Sequence, residues 1–492
     1  MQKLKITLIH LFLFTLILSI FMMVFSSREI NIHKEQSLMN NANDLIKMMI
    51  EDENIPAVQI TFFEDGVITD THVFQRSSSD HEQIDKHSIF RAQSLTKTIT
   101  ATLVLKLVEE GKMGLDDTLL DHLSDDFLNQ IPEEVHDLTV RSLLKHQSGL
   151  YEGDYTLMYG LDDQIPSLDE ALIRDLQKPL VDQDFYYSNV GYNLLEKMIE
   201  EVSGLSYQHY ADEVIFQKSN LVDTHFDYKR SQMEKYVKGS TMLGDTVEPY
   251  IYAEKASGGL LTTSEDYATY LIDLAKGSYL STEMLQTMIS ANGSLNSYYD
   301  VVFDNYGMGV FIESHGNTLT LSHGGQGTGY MSYYHLIPDQ VTGYVILTNS
   351  QRAYPLFSAL TSLFNRYYDL PSPGIKAIEW IMVLSKVIQA VLIYLILLTL
   401  YALIQQKTYR SMIYHNASFV AAVFMLVISL MLRYQSNNFI HVLIPSDYER
   451  LMMLLFITSL VAMVYHLAAP LINLKKGGKQ HATFTQRSTD FI

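Results

Sequence analysis

Long apolar segments near both ends of this 492-residue chain restrict its fold more than any other feature. They cover about 6–25, 387–404, 412–432 and 451–474. A run of about 20 apolar residues is long enough to cross a bilayer, and a helix that is apolar on every side rarely belongs to a soluble core. We therefore expect membrane segments on both sides of a globular domain at 28–374.

Basic residues indicate how these segments are oriented. Lys3 and Lys5 precede the first one, and both the loop 405–411 and the tail 475–492 are basic. Because positive charge is retained in the cytoplasm, we expect a multi-pass protein of the bacterial cell membrane whose domain faces outside. Residues 1–27 are either a signal peptide or an uncleaved anchor, and the lack of an A-x-A site favours the anchor.

The charge and composition of the chain exclude several classes of function. The formal net charge is −20, and it is concentrated in the domain because the terminal segments are basic. Such an acidic domain is a poor partner for nucleic acid. The chain has no cysteine, and its 17 histidines form no H-E-x-x-H or H-x-H pair. We therefore expect no disulfide, no metal site and no cofactor.

The domain shows strands at its two ends and helices between them. The segment 57–74 predicts two strands joined by a turn at 64–66, and 306–350 contains three or four more. Helical patterns lie between these regions, and a last helix is expected over about 354–368. This order predicts an α+β fold in which both ends of the domain build one antiparallel sheet around a helical insertion, followed by the transmembrane helices.

A serine and a lysine begin the helix predicted after residue 93. Ser94 and Lys97 are three residues apart, so their side chains share one helix face. A helix N-terminus and a neighbouring ammonium both favour a developing alkoxide. This pair is therefore a candidate nucleophile with its base, although S-x-x-K also occurs by chance.

Two further segments carry groups that such a nucleophile needs. Tyr187 and Asn189 lie on a loop before a helix, and a tyrosine near Lys97 is expected to have a lowered pKa and to transfer protons. His323, Gly324 and Gly325 lie at a predicted strand, where glycines allow a backbone or ligand to approach closely.

The chain contains S-x-x-K at 94–97, Y-x-N at 187–189 and H-x-G at 323–325. Motifs in this order and at these separations resemble those of the serine β-lactamase and penicillin-binding-protein family. The resemblance is strongest to the class C β-lactamases with their peptidase and esterase relatives. The resemblance covers roughly residues 40–368 and includes "LTVRSLLKHQSGL" and "ASGGLLTTSEDYATYLIDL". The external domain followed by three spans is similar in layout to the membrane-bound peptidases that remove an N-acyl-D-asparagine cap, of the colibactin and zwittermicin type.

The resemblance implies a role for each matching residue. Ser94 would be the acylated nucleophile, and Lys97 and Tyr187 would share acid–base work. Asn189 would hydrogen-bond the substrate's amide side chain, and His323 would contact either the substrate carboxylate or the tyrosine. The backbone N–H groups of Ser94 and Gln326, next to Gly325, would form the oxyanion hole.

Two departures from the family pattern are visible. Gln93 stands where relatives commonly have glycine or another small residue. His323 stands where β-lactamases often have lysine, and this replacement favours an esterase or peptidase over an efficient β-lactamase. The histidine is also expected to titrate near neutral pH.

The leading interpretation is a membrane-bound serine hydrolase that cleaves amide or ester bonds through an acyl-enzyme. Its substrate would be a small peptide or an amphiphilic molecule containing a D-amino acid, from peptidoglycan or a secondary metabolite, and β-lactams would be possible acylating ligands. A cell-wall carboxypeptidase, a D-aminoacyl esterase, a prodrug peptidase and a β-lactamase all remain open. The alternative is a penicillin-binding sensor that stays acylated. The rate of deacylation distinguishes the two, because a hydrolase releases the acyl group and a sensor keeps it.

Overall fold

The computed structural model describes residues 33–76, 83–154, 157–181, 184–241, 244–291, 295–296 and 298–376, with a few positions between 387 and 464. Residues Ile30–Glu379 form one compact unit, and the terminal segments form another. The predicted anchor at 1–27, the three spans and the tail lie outside the described residues, apart from those few positions. Among the residues that are described, no helix has the length and hydropathy of a membrane span.

Strands from both ends of the domain form the main sheet. The strands are β1 Ala57–Glu64, β2 Val67–Gln75, β3 Phe90–Arg91, β4 Tyr159–Gly160, β5 Gly239–Ser240, β6 Thr246–Val247, β7 Tyr250–Ile251, β8 Leu261–Thr262, β9 Asn305–Tyr306, β10 Phe311–His315, β11 Thr318–Gly327, β12 Tyr330–Ile337 and β13 Thr342–Thr348. The seven-stranded sheet has the order β2-β1-β13-β12-β11-β10-β9, with antiparallel neighbours. The predicted α+β architecture is therefore confirmed for the domain.

The helices lie mainly between β3 and β9. They are α1 Leu38–Asp52, α2 Thr96–Glu109, α3 Leu119–His122, α4 Asp125–Leu128, α5 Val140–Leu144, α6 Leu168–Leu176, α7 Asn189–Ser203, α8 Tyr207–Ala211, α9 Ser264–Ala275, α10 Thr282–Met288 and α11 Tyr354–Tyr367. Short helices of other types include the 3₁₀ turn Gln93–Leu95, directly before α2. Local sequence sets several ends: the Ser188 hydroxyl accepts from Gly191 N–H at the start of α7, and Gly204 ends it with φ 70°.

Alternating side chains attach helices to both faces of the sheet. In β1, Thr61 hydrogen-bonds Ser264 of α9 at 2.8 Å, whereas its neighbour Phe62 packs towards Tyr344 on the other face. The hydroxyl groups of Tyr344 and Thr361 of α11 are 2.6 Å apart on that second face. This period-two alternation places α9 and α11 on opposite sides of one sheet.

Helix α2 is buried along almost its whole length, between the sheet and the helical region. Its threonines satisfy their hydroxyls inside the core: Thr100 donates to the Ala256 carbonyl at 2.7 Å, and Thr98 donates to that of Gly309 at 2.8 Å. Because these hydroxyl groups are hydrogen-bonded, burial of the threonines costs little free energy. The first turn of α2, with Lys97, is thereby fixed in the interior.

Candidate active site

Ser94 lies in the tight 3₁₀ turn that leads into α2. Gln93, just before it, has φ 52°, in the left-handed region that favours glycine. Its side chain is fixed on both ends, since Nε2 donates to the Tyr250 hydroxyl at 2.9 Å and Oε1 accepts from Tyr252 at 3.3 Å. The geometry explains why a small residue suits this position and how glutamine is held there instead.

Lys97 is enclosed by three polar atoms. Its Nζ lies 3.1 Å from Ser94 Oγ, 2.7 Å from Asn189 Oδ1 and 2.8 Å from the Ser257 carbonyl oxygen. The lysine side chain is fully buried. The structure thus brings together three residues that the sequence predicted and adds a carbonyl group that it did not indicate.

Burial lowers the pKa of Lys97 well below its usual value, and the carboxylate of Glu152 opposes this by raising it. A neutral amine has two N–H groups and one lone pair. Here the two N–H groups can be donated to Asn189 and Ser257, and the lone pair is then directed towards the Ser94 hydroxyl. The arrangement therefore suits a neutral lysine that accepts the serine proton.

The Ser257 carbonyl is held in place from α7. One oxygen of the buried Glu196 carboxyl accepts from the N–H groups of Lys255 at 2.6 Å and Ala256 at 2.8 Å. Asn193 Oδ1 accepts from Ser257 N–H at 3.1 Å. Asn193 and Glu196 are buried polar residues of α7, and their i, i+3 spacing is the signal that sequence reasoning passed over.

Tyr187 lies above Lys97, with the lysine Nζ 4.8 Å from the ring centroid. Burial raises the pKa of Tyr187 well above 10, and a hydrogen bond with Ser94 only partly opposes this. The expectation of a lowered pKa at Tyr187 is therefore wrong in direction, because exclusion of water from around the ring disfavours the phenolate. Tyr187 is thus a neutral phenol.

His146 packs against the ring of Tyr187. The two ring centroids are 4.3 Å apart, and His146 Nδ1 accepts from Ser188 N–H at 3.1 Å. Its pKa is lowered well below 6.5 by burial, so the ring is neutral. Sequence reasoning did not single out this residue, although it lies within "LTVRSLLKHQSGL".

His323 is neutral and buried, with 1% of its surface exposed. Its Nδ1 donates to the Gly324 carbonyl at 2.8 Å, and Nε2 lies 3.4 Å from the Tyr306 hydroxyl. Burial and the nearby Lys97 lower the pKa of His323 to about 3. The expectation that it titrates near neutral pH is thus wrong, because the ring lies inside the core.

Gly325 allows β11 to pass directly beside the Ser94 turn. A Cβ atom there would lie 2.3 Å from the Ala92 carbonyl oxygen and 2.1 Å from Ser332 Oγ, which donates to that carbonyl. Gln326 follows in the same strand and lines a cleft with Ser94. The close approach therefore brings the strand backbone to the nucleophile, as an oxyanion hole requires.

The cleft beside Ser94 is open to solvent. Besides Gln93, Ser94, Asn189 and Gln326, which the sequence analysis named, it is lined by residues that sequence reasoning missed: Gly153, Asp154, Leu157, Arg174, Asp175, Asn193, Tyr252, Glu254, Ser257 and Gly258.

Comparison with protein families gives a match to the model described as Beta-lactamase, over residues 42–361, which is more than half of the chain. Among curated proteins, the chain is 22% identical over 369 residues to Protein flp of Staphylococcus aureus, covering 68% of this chain and 71% of that protein.

Solved structures agree in fold. The octameric penicillin-binding protein homologue from Pyrococcus abyssi has a TM-score of 0.57 and 26% identity, covering 66% of this chain and 77% of that one. The D-amino acid amidase from Ochrobactrum anthropi has a TM-score of 0.54 and 21% identity, covering 64% and 93%.

Proposed function

The chain belongs to the beta-lactamase family, and from this premise we propose that it is a serine hydrolase that forms an acyl-enzyme on Ser94. The observation that supports this most directly is the contact between Ser94 and a buried lysine of lowered pKa. A serine hydroxyl is a weak nucleophile until a neighbouring base takes its proton, and a neutral amine held at hydrogen-bond distance can do so.

In the proposed reaction, Lys97 takes the proton of Ser94 as the oxygen attacks the substrate carbonyl. The carbonyl oxygen gains negative charge, which the N–H groups of Ser94 and Gln326 would stabilise. The leaving amine or alcohol needs a proton, and the neutral phenol of Tyr187, hydrogen-bonded to Ser94, can relay it from Lys97. Water then attacks the ester and releases the acyl group, with the same residues acting in reverse.

Asn189 has a positioning role in this scheme. Its Oδ1 orients the lysine amine, while the same side chain lines the cleft and can face the substrate's amide group. Buried His323 supports the site through Tyr306. Its predicted contact with the substrate stays a prediction.

For the substrate, we propose an amide or ester of a D-amino acid, in peptidoglycan or in a secondary metabolite. The similarity of fold to a protein named D-amino acid amidase supports this class. The apolar segments and the basic loops support a membrane-bound enzyme with its domain outside the cell. The layout like that of the prodrug peptidases remains part of this proposal.

Activity-based labelling would test the proposal directly. Membranes containing the full chain are incubated with a fluorophosphonate or a fluorescent penicillin, and the adduct is located by mass spectrometry. We expect it on Ser94, with labelling lost in Ser94→Ala. An adduct on another serine, with Ser94→Ala still labelled, would overturn the assignment. Release of the penicilloyl group over minutes separates a hydrolase from a sensor, which would remain acylated.

A further inference from the structure

The side chain of Gln93 fills space directly beside the nucleophile. Gln93 lines the cleft together with Tyr252 and Gln326, yet only 2% of its surface is exposed. A Cβ atom on Gly327 would lie 2.5 Å from each of Cδ, Oε1 and Nε2 of Gln93, so the carboxamide lies flat against strand β11 at that glycine. Behind the edge that faces the cleft, the Gln93 side chain therefore occupies the space between β11 and Tyr252.

Two tyrosine hydroxyl groups hold the Gln93 carboxamide in this position. Nε2 donates to the Tyr250 hydroxyl at 2.9 Å, and Oε1 accepts from the Tyr252 hydroxyl at 3.3 Å. The Tyr250 hydroxyl in turn donates to the Thr328 carbonyl of the turn after β11, at 3.0 Å. A buried amide that moved aside for a larger ligand would lose these hydrogen bonds and leave polar atoms without partners, which is costly.

Buried Arg91 holds the two tyrosines from inside the core. Its guanidinium carbon lies 4.3 Å from the ring centroid of Tyr250 and 4.9 Å from that of Tyr252. Its Nη2 also donates to the Tyr250 carbonyl. Cation–π attraction is strongest where water is excluded, and Arg91 is almost completely buried. The wall that fixes Gln93 is therefore itself fixed by the core of the domain.

The direction of strand β11 indicates which part of a substrate would meet Gln93. The ring of Tyr187 lies near His323, at 6.3 Å between centroids, whereas the Gln93 carboxamide lies on Gly327, four residues further along the strand. In the proposed reaction the carbonyl oxygen binds between these points, at the Gln326 N–H, and the leaving group takes its proton from Tyr187. The leaving group would thus extend towards His323. The acyl group would extend the other way, along Gly327 and Gln93.

We propose that Gln93 is a specificity-determining residue, whose side chain limits the size of the acyl group at the carbon next to the reacting carbonyl. This inference rests on the proposed function and narrows it. Gln93 precedes Ser94 in the chain, so it faces the part of the acyl group that is attached directly to that carbonyl. Within the substrate classes considered above, an acyl group as small as D-alanyl is favoured over one as large as D-phenylalanyl.

Acylation by two esters with the same leaving group tests the inference. The full chain, purified in detergent at pH 7, is mixed with p-nitrophenyl acetate or p-nitrophenyl phenylacetate, which differ by a phenyl group on the carbon next to the carbonyl. The second-order rate constant for release of p-nitrophenolate reports acylation of Ser94. The phenylacetate constant divided by the acetate constant is called here the size ratio. The intrinsic reactivity of the esters cancels when the size ratios of two variants are compared.

Two variants show whether the Gln93 side chain is responsible. Gln93→Gly opens a space comparable to a phenyl ring and suits the φ of 52° at this position, and we expect its size ratio to exceed that of the wild-type chain at least about tenfold. Gln93→Met keeps the volume of the side chain without its hydrogen bonds. It is the matched control, and its size ratio should stay within about threefold of the wild-type value. Thermal unfolding verifies that both variants are folded.

An unchanged size ratio in folded Gln93→Gly, or an equal rise in Gln93→Met, would overturn the inference. Slower acylation of Gln93→Gly by both esters to the same degree would also overturn it, because Gln93 would then only hold the nucleophile in place. In these cases acylation that is lost in Ser94→Ala still supports the hydrolase. If neither ester acylates Ser94 in the wild-type chain, the proposed function is overturned, and this inference with it.

Discussion

Replacing Gly325 by alanine would separate the oxyanion strand from the nucleophile. The new Cβ atom would lie 2.3 Å from the Ala92 carbonyl oxygen, where ordinary contact begins at 3.4 Å. Strand β11 must therefore move away from the Ser94 turn by roughly 1 Å, because the Ala92 carbonyl belongs to the backbone and cannot rotate out of the way. Gly324→Ala is a control at the adjacent position, since its Cβ would contact only Tyr333, at 3.6 Å.

The structure gives the size of the expected effect. Overpacking of this kind costs about 1–3 kcal/mol of unfolding free energy. Loss of the hydrogen bond from Ser332 to Ala92 adds about 1 kcal/mol. Displacement of an oxyanion donor by about 1 Å is expected to slow acylation on the order of 100-fold. Gly324→Ala should change either quantity little.

Two measurements test this reasoning together. The rate of fluorophosphonate labelling reports on the oxyanion hole, and thermal unfolding reports on stability. We expect Gly325→Ala to be slower in labelling and less stable than Gly324→Ala. If the two variants label at the same rate, β11 is not the strand that stabilises the oxyanion.

Three other predictions concern charge and protonation. Lys97→Met keeps the volume but removes the base, so the labelling rate should fall on the order of 1000-fold, and a fall of less than tenfold would argue against Lys97 as the base. Glu152→Gln removes the carboxylate that raises the pKa of Lys97, so the acidic limb of the pH–rate profile should move to lower pH; a move to higher pH would contradict this. His323 and His335 have pKa values lowered by burial to about 3. Below about pH 6.5 both histidines bind protons in the unfolded chain but stay neutral in the folded protein. The unfolding free energy should therefore fall, as the pH is lowered, by up to about 1.4 kcal/mol per pH unit for each histidine. Chemical unfolding of His335→Gln between pH 7.5 and 4.5 should give a shallower slope by about that amount, and an unchanged slope would refute the assignment.

The sequence by itself determined the periodic and local features of this protein. Strand-like segments on either side of a turn at 64–66 predicted β1 and β2, and further segments of this kind predicted a strand-rich end near β11 to β13. Spacing placed Lys97 one helical turn from Ser94, since residues i and i+3 share a helix face. The resemblance named Tyr187 and Asn189 as partners, and the fold places them beside that pair.

Only the tertiary structure decided the electrostatic state of these groups. Lys97 and Tyr187 have pKa values set by how completely the surrounding elements exclude water, and exclusion of water is a property of packing that no local pattern records. The Ser257 carbonyl, and Arg174 and Glu254 in the lining of the cleft, come from segments distant from Ser94 in the chain. A backbone carbonyl has no residue signature, and a surface-like arginine or glutamate reveals its surroundings only when the chain has folded around it.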